Sequence, residues 1–241
     1  MQRRSDTLLI LPAYNEASTL PGLIQEIRSS LSDLDILVIN DGSTDNTAEI
    51  CQKNRVDCID LPYNLGIGGA VQTGLQFARD LDYPAAVQID SDGQHDPRYV
   101  GDLLTALRGA KADLVIGSRF LGPAKGFQST AARRVGISFF SALLGLLTGI
   151  PVHDPTSGFR AFNRRSIEIF AENYPIDFPE PESLLLARFF GLRTLEVPVL
   201  MRPRQGGASS IRSFKTLYYM VKVTLAIGID LFKNYKQGAQ S

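Results

Sequence analysis

Short apolar runs alternate along this chain with stretches whose apolar residues recur at helical spacing. Segment 7–11 (TLLIL) is apolar throughout and has the length of a buried strand. Leu20, Leu23, Ile24, Ile27 and Leu31 then recur three or four apart, which predicts a helix with one buried face. Segments 35–39 (DILVI), 56–60, 85–89 (AAVQI) and 113–117 (DLVIG) predict four further strands. Helices are expected at about 46–54, over 66–80 with Ala70, Leu75 and Ala78 near one face, and from Pro97 to Leu107. Proline suits a first helical turn, because its missing N–H would be unpaired there anyway. Alternation of this kind predicts an α/β fold, a mainly parallel sheet covered by helices on both faces. The strand runs are apolar on both faces, as buried parallel strands require. Beyond Gly117 the pattern loses regularity, starting with a loop-like stretch at 120–130.

The polar residues are informative through their positions. The first strand runs into Pro12-Ala13-Tyr14-Asn15-Glu16, and the second into Asn40-Asp41-Gly42-Ser43. The third leads to Asp60 and then Asn64-Leu65-Gly66-Ile67-Gly68-Gly69. The fourth ends in Asp90-Ser91-Asp92-Gly93-Gln94-His95. In an open parallel sheet the carboxyl ends of the strands line one crevice, where ligands bind. An ordinary polar turn explains any one of these clusters, but not four at the same edge.

Composition narrows the function. Of 241 residues, 44% are hydrophobic and 21% charged, ordinary values for a globular chain. Lys plus Arg number 25 and Asp plus Glu 25, so there is no basic excess of the kind a nucleic-acid binder carries. Two cysteines, Cys51 and Cys58, make no disulfide framework and are expected as free thiols in a reducing compartment. The apolar run at 8–11 is too short for a signal-peptide core. Segment 137–152 is apolar but broken by glycines and proline, and segment 217–232 is interrupted by Lys222 and Asp230. Neither predicts a spanning helix; each suits a core helix or one lying along a membrane surface.

Asp90 and Asp92 are the leading chemical candidates. Alternate residues leaving a strand can turn two carboxylates toward one ion where the strand bends into a loop. Hard oxygen ligands suit Mg²⁺ or Mn²⁺, and Gln94 can add a neutral oxygen. An Asp-x-Asp pair by itself is also common in surface turns. The glycine run at 66–69 opens a helix whose amides can accept an anion, or else simply makes a tight turn. It lacks the Gly-Lys-Ser/Thr of a Walker loop and the spacing of a dinucleotide fingerprint. His95 and His153 stand apart beside turn prolines, which suits hydrogen bonding within loops better than metal ligation.

Together these pieces resemble glycosyltransferase family 2, the inverting enzymes of the glycosyltransferase-A fold, and within it the dolichyl-phosphate mannose synthase and polyprenyl-phosphate sugar transferase branch. The resemblance is carried by Pro12-Ala13-Tyr14-Asn15-Glu16, Asn40-Asp41-Gly42-Ser43-Thr44-Asp45, Asn64-Leu65-Gly66 and Asp90-Ser91-Asp92-Gly93-Gln94-His95-Asp96-Pro97. Gly117-Ser118-Arg119-Phe120, Asp154-Pro155-Thr156-Ser157-Gly158-Phe159-Arg160 and Arg204-Gln205-Gly206-Gly207-Ala208-Ser209-Ser210 complete it, in the family's order. It implies a catalytic domain over 1–210 and a helical tail over 211–241 that is membrane-interfacial or oligomerising. Pro12, Tyr14, Glu16 and Asp41 would hold the base and ribose of the donor, with Asn64, Gly66 and Ser91 lining the same nucleotide-sugar site. Asp90, Asp92 and Gln94 would surround Mg²⁺ or Mn²⁺, and Arg204 would meet the diphosphate. Arg119 with Arg133 or Arg134 would receive an acceptor phosphate, a task suited to guanidinium forks. The chain departs from the family at Ile67, where a basic residue is frequent, at Ser210, where lysine is frequent, and at Ser91, usually alanine.

The implied reaction is a single displacement at the sugar's anomeric carbon, from a UDP- or GDP-sugar. A lipid-phosphate acceptor is already anionic. A saccharide hydroxyl needs a carboxylate to take its proton, for which Asp154 and Glu182 are the candidates. Glu182 also suits the N-terminal turn of a helix, where the dipole favours an acid. The lipid phosphate is the preferred acceptor, given Arg133 and Arg134 ahead of segment 137–152 and basic residues beside segment 217–232. Transfer to a growing polysaccharide and a non-catalytic nucleotide-sugar-binding subunit are the alternatives. The expected setting is cytoplasmic, peripheral at the inner face of the plasma membrane. Contact would come through interfacial helices or a membrane partner protein, and a homo-oligomer remains open.

Overall fold

The computed structural model describes residues 3–121, 138, 141–146, 149 and 152–202. Seven strands form one sheet in the order β3-β2-β1-β4-β6-β5-β7. They are β1 (Thr7–Ala13), β2 (Asp35–Asn40), β3 (Asp57–Asp60), β4 (Ala85–Gln88), β5 (Leu114–Ser118), β6 (Arg160–Asn163) and β7 (Thr194–Pro198). Strand β6 runs antiparallel to both neighbours, and the remaining pairs are parallel. The helices that position the site include α1 (Leu20–Ser30), α2 (Thr47–Lys53), α3 (Gly66–Asp80), α4 (Val100–Gly109), α5 (Arg164–Asn173) and α6 (Pro179–Phe189).

Strand side chains alternate between two cores. Leu8, Ile10, Leu37 and Ile39 face α3, α5 and α6 through Val71, Leu75, Phe170 and Leu185. Leu9, Leu11, Ile36 and Val38 face α1, α2 and α4 through Leu23, Ile24, Cys51, Leu103 and Leu107. Each fully buried aliphatic side chain is worth roughly 1.5–3 kcal/mol, so the two layers hold the sheet from both sides. Helix α3 approaches β1 closely at Gly74, where a Cβ would collide with the Ile10 side chain.

The helix expected from Pro97 begins as a single 3₁₀ turn, Pro97–Tyr99, and continues as α4. Asp96 caps that turn by accepting from the Arg98 amide at 3.0 Å. The less regular second half supplies β6, α5, α6 and β7, and β6 inserts between β4 and β5. The ends of β3, β2, β1 and β4 stand side by side at one edge, so the four polar clusters share a crevice. Among the described residues, no helix is long and apolar enough to cross a membrane.

Candidate active site

Three loops lock together on the β3-β2-β1 side of the crevice. Asn15 adopts a left-handed conformation (φ 56°), and its side-chain oxygen accepts from the Thr44 amide at 2.8 Å. Its own amide donates to Ser43 Oγ at 2.9 Å. The Glu16 amide donates to Thr47 Oγ1 at 3.0 Å. Asp41, 3% exposed, accepts from the amides of Leu65 at 2.7 Å and Gly66 at 2.9 Å. The anion at the start of α3 in this structure is therefore the protein's own Asp41 carboxylate. Gly42 (φ +65°) lets these loops meet, since a Cβ there would lie 2.6 Å from Asn64 N. Pro12 is buried at the end of β1, whereas Tyr14 and Asn64 are exposed on the crevice rim.

The loop after β4 carries Asp90, Ser91, Asp92 and Gln94. Asp92 is buried, and its Oδ1 accepts from the Gln94 amide at 2.9 Å. Gln94 in turn accepts from the Arg202 amide through its carbonyl oxygen at 2.9 Å, and His95 bridges to Met201. Arg202 binds Glu26 at 2.6 Å and Asp96 at 2.9 Å, tying this loop to α1. Burial raises the Asp96 pKa, but hydrogen bonds from Arg98 and Arg202 outweigh it and hold the carboxyl at about 2. The carboxylate of Asp90 is 35% exposed. It lies against Gly158, where a Cβ would come within 3.0 Å of both its oxygens. Two hard carboxylates and an amide oxygen on one tight loop are a donor set that fits Mg²⁺ or Mn²⁺. Among the described residues, no group of three or more His, Cys, Asp or Glu side chains forms a metal cage.

The β5 side of the crevice is built around Arg119 and Asp154. The guanidinium grips the fully buried carboxylate with Nε at 2.7 Å and Nη2 at 2.6 Å, and Nη2 also donates to Thr156 Oγ1 at 2.8 Å. Burial lowers the Arg119 pKa, but Asp154, then Asp90 and Glu180, raise it further and keep the side chain charged. Both oxygens of the Asp154 carboxylate are thus engaged by one arginine. Glu182 is buried in the first turn of α6, the position expected for an acid favoured by the helix dipole. Arg133, Arg134 and Arg204 lie outside the described residues, as do part of 137–152 and all of 217–232.

Several contributors were not singled out from sequence. Arg160 is fully buried and fastens the 155–157 loop to α6, donating to the carbonyl oxygens of Ser157 and Glu180 at 2.8 Å each. Glu196 on β7 accepts from the amides of His153 and Asp154 at 2.8 Å each, and so fixes the Asp154 backbone. The Glu180 carboxyl is pushed up by burial and by Asp90, against Arg160. The Pro-Glu-Pro-Glu spacing offered Glu180 and Glu182 alike. Arg160 stands inside the apolar run GFRAF, the one sequence feature that hinted at its burial.

Residues 8–170 match the family described as Glycosyl transferase family 2. The chain is 30% identical to the UDP-N-acetylglucosamine–dolichyl-phosphate N-acetylglucosaminyltransferase of Methanococcus voltae, over 93% of this chain and 92% of that one. It is 31% identical to the undecaprenyl-phosphate mannosyltransferase of Micrococcus luteus, over 85% and 86% of the two chains. With the polyprenol monophosphomannose synthase of Mycolicibacterium smegmatis it shares 29% identity, over 90% and 85%. The fold is also that of glucosyl-3-phosphoglycerate synthase from Mycobacterium tuberculosis, crystallised with Mn²⁺, UDP and phosphoglyceric acid. That likeness has a TM-score of 0.69 at 22% identity and covers 94% of this chain and 78% of the other. The crevice at the ends of β3, β2, β1 and β4, the acidic loop on β4 and these relatives lead to one conclusion: the chain belongs to glycosyltransferase family 2 and is a glycosyltransferase of the glycosyltransferase-A fold.

Proposed function

We propose that this enzyme moves a sugar from a UDP- or GDP-sugar to a polyprenyl phosphate, with inversion, for cell-envelope glycan synthesis at the inner face of the plasma membrane. The carrying observation is the Asp90–Gln94 loop at the end of β4, whose half-buried Asp90 carboxylate acts electrostatically on the charged Arg119. The dolichyl-, undecaprenyl- and polyprenol-phosphate relatives support the acceptor class.

Asp90, Asp92 and Gln94 would hold Mg²⁺ or Mn²⁺, which supplies positive charge to the departing diphosphate. Pro12, Tyr14, Glu16, Asn64, Gly66 and Ser91 would line the nucleotide, with Asp41 bracing the wall behind them. Arg204 would add charge at the diphosphate, and Arg119, with Arg133 or Arg134, would orient the acceptor phosphate. An acceptor phosphate oxygen attacks the anomeric carbon from the face opposite the diphosphate. The carbon–oxygen bond to the diphosphate breaks as the new one forms, and no proton has to leave the nucleophile. This chemistry agrees with a site whose Asp154 is already neutralised by Arg119. A saccharide hydroxyl would need a base, for which Asp154 and Glu182 are the candidates.

The test is transfer of radiolabelled sugar from a panel of UDP- and GDP-sugars to a short polyprenyl phosphate or to an oligosaccharide, with Mn²⁺ or Mg²⁺. The reading expects metal-dependent product in the organic phase, abolished in Asp92→Ala. Product on the oligosaccharide alone would move the acceptor to the saccharide class.

A further inference from the structure

Asp90 is held from three sides, and one of its holders is a histidine with a defined tautomer. The Asp90 backbone N–H donates to Nδ1 of His95 at 3.0 Å. That bond uses the Nδ1 lone pair, so a neutral ring carries its proton on Nε2. Nε2 lies 3.7 Å from Oδ2 of the Asp90 carboxylate. The ring itself is 3% exposed and stacked on Phe159, with centroids 4.9 Å apart and planes at 16°. Gln88 Nε2 donates to the other oxygen, Oδ1, at 3.3 Å. Gly158 closes the floor, since any Cβ there would press on Asp90 and Gln88 at 3.0 Å. The open direction for the carboxylate is outward, into the crevice.

We propose that His95 is a positioning residue for Asp90, setting both its backbone and its carboxylate in the orientation that ligates the divalent ion. The inference rests on the reading that Asp90 and Asp92 hold that ion. A ring pinned by stacking has one orientation, so the amide it accepts has one position. The same ring stands with Nε2 3.7 Å from Asp90 Oδ2, a packing neighbour of the carboxylate and not a direct hydrogen-bond donor to it. Residues that orient a metal ligand typically change metal affinity 10- to 100-fold when removed. Asparagine in place of His95 keeps an acceptor near the Nδ1 position. Glutamine reaches the Nε2 position but withdraws that acceptor.

The experiment follows Mn²⁺ binding by the loss of the free-ion electron paramagnetic resonance signal, with UDP and in parallel GDP present. The natural chain, Asp92→Ala, His95→Gln and His95→Asn are compared, and each is melted without metal to establish folding. The proposal expects Mn²⁺ binding in the natural chain, its loss in Asp92→Ala, and affinity about 10-fold or more weaker in His95→Gln. It expects His95→Asn to recover most of that loss. A merely structural histidine would lower the metal-free melting temperature but leave the Mn²⁺ affinity of the folded variants unchanged, and that result overturns the proposal. If the natural chain binds no Mn²⁺, or Asp92→Ala binds it equally well, the underlying metal reading fails and the proposal with it. Loss in Asp92→Ala together with natural affinity in His95→Gln removes the proposal alone.

Discussion

Arg119 holds the fully buried Asp154 carboxylate in a two-point ion pair at 2.6 and 2.7 Å. Removing one partner of such a pair strands a buried charge and typically costs about 3–5 kcal/mol. Denaturant unfolding of Arg119→Ala should show a loss of that order, and Arg119→Met with Asp154→Leu should regain much of it. A loss of transfer in Arg119→Ala therefore identifies an acceptor contact only in protein shown to be folded. Asp96 makes a pH prediction. Its folded pKa of about 2 lies below the ordinary 3.8, so its stabilisation is complete above the unfolded pKa and is lost as pH falls through about 2. The stability gap between the natural chain and Asp96→Asn should be widest above about pH 4 and close toward pH 2. The acidic loop was legible because it follows a strand directly. Arg160 and Glu196 were not, because a charged residue in isolation suggests a solvated surface, and only the fold brings the carbonyls and amides that pair them.

At the scale of elements, the first five strands and the helices among them were legible from periodicity, within a residue or two at most ends. Strand β6 escaped because its four residues, RAFN, begin with arginine and end with asparagine, and it pairs antiparallel with strands distant in sequence. The start of α3 carries the clearest local prediction. Asp41 holds the Leu65 and Gly66 amides as a helix cap supplied from another loop. Asp41→Ala should lower stability by about 0.5–2 kcal/mol without any ligand, the usual cost of a lost cap. An unchanged melting curve would mean that the cap contributes nothing. On the same helix, Gly74→Val should be destabilised by roughly 1–3 kcal/mol through overpacking against Ile10.

At the scale of the whole molecule, the sheet order brings the polar ends of β3, β2, β1 and β4 to one edge and sets β5 and β7 beyond the inserted β6. The sequence pattern anticipated the shared edge but not that insertion. The 12–16, 41–45 and 64–66 loops, which we propose hold the nucleotide, belong to the β3-β2-β1 side, Arg119 and Asp154 to the β5 side, and the acidic loop follows β4 between them in the sheet order. That arrangement suits donor and acceptor phosphates meeting over one cation. Isothermal titration with UDP and with GDP, in Mn²⁺ and in EDTA, tests it most directly. One of the two nucleotides should bind the natural chain only with Mn²⁺, and folded Asp92→Ala should bind neither. Equal affinity in EDTA and in Mn²⁺, or undiminished binding by Asp92→Ala, would contradict the assignment of Asp90 and Asp92 as the metal-holding pair.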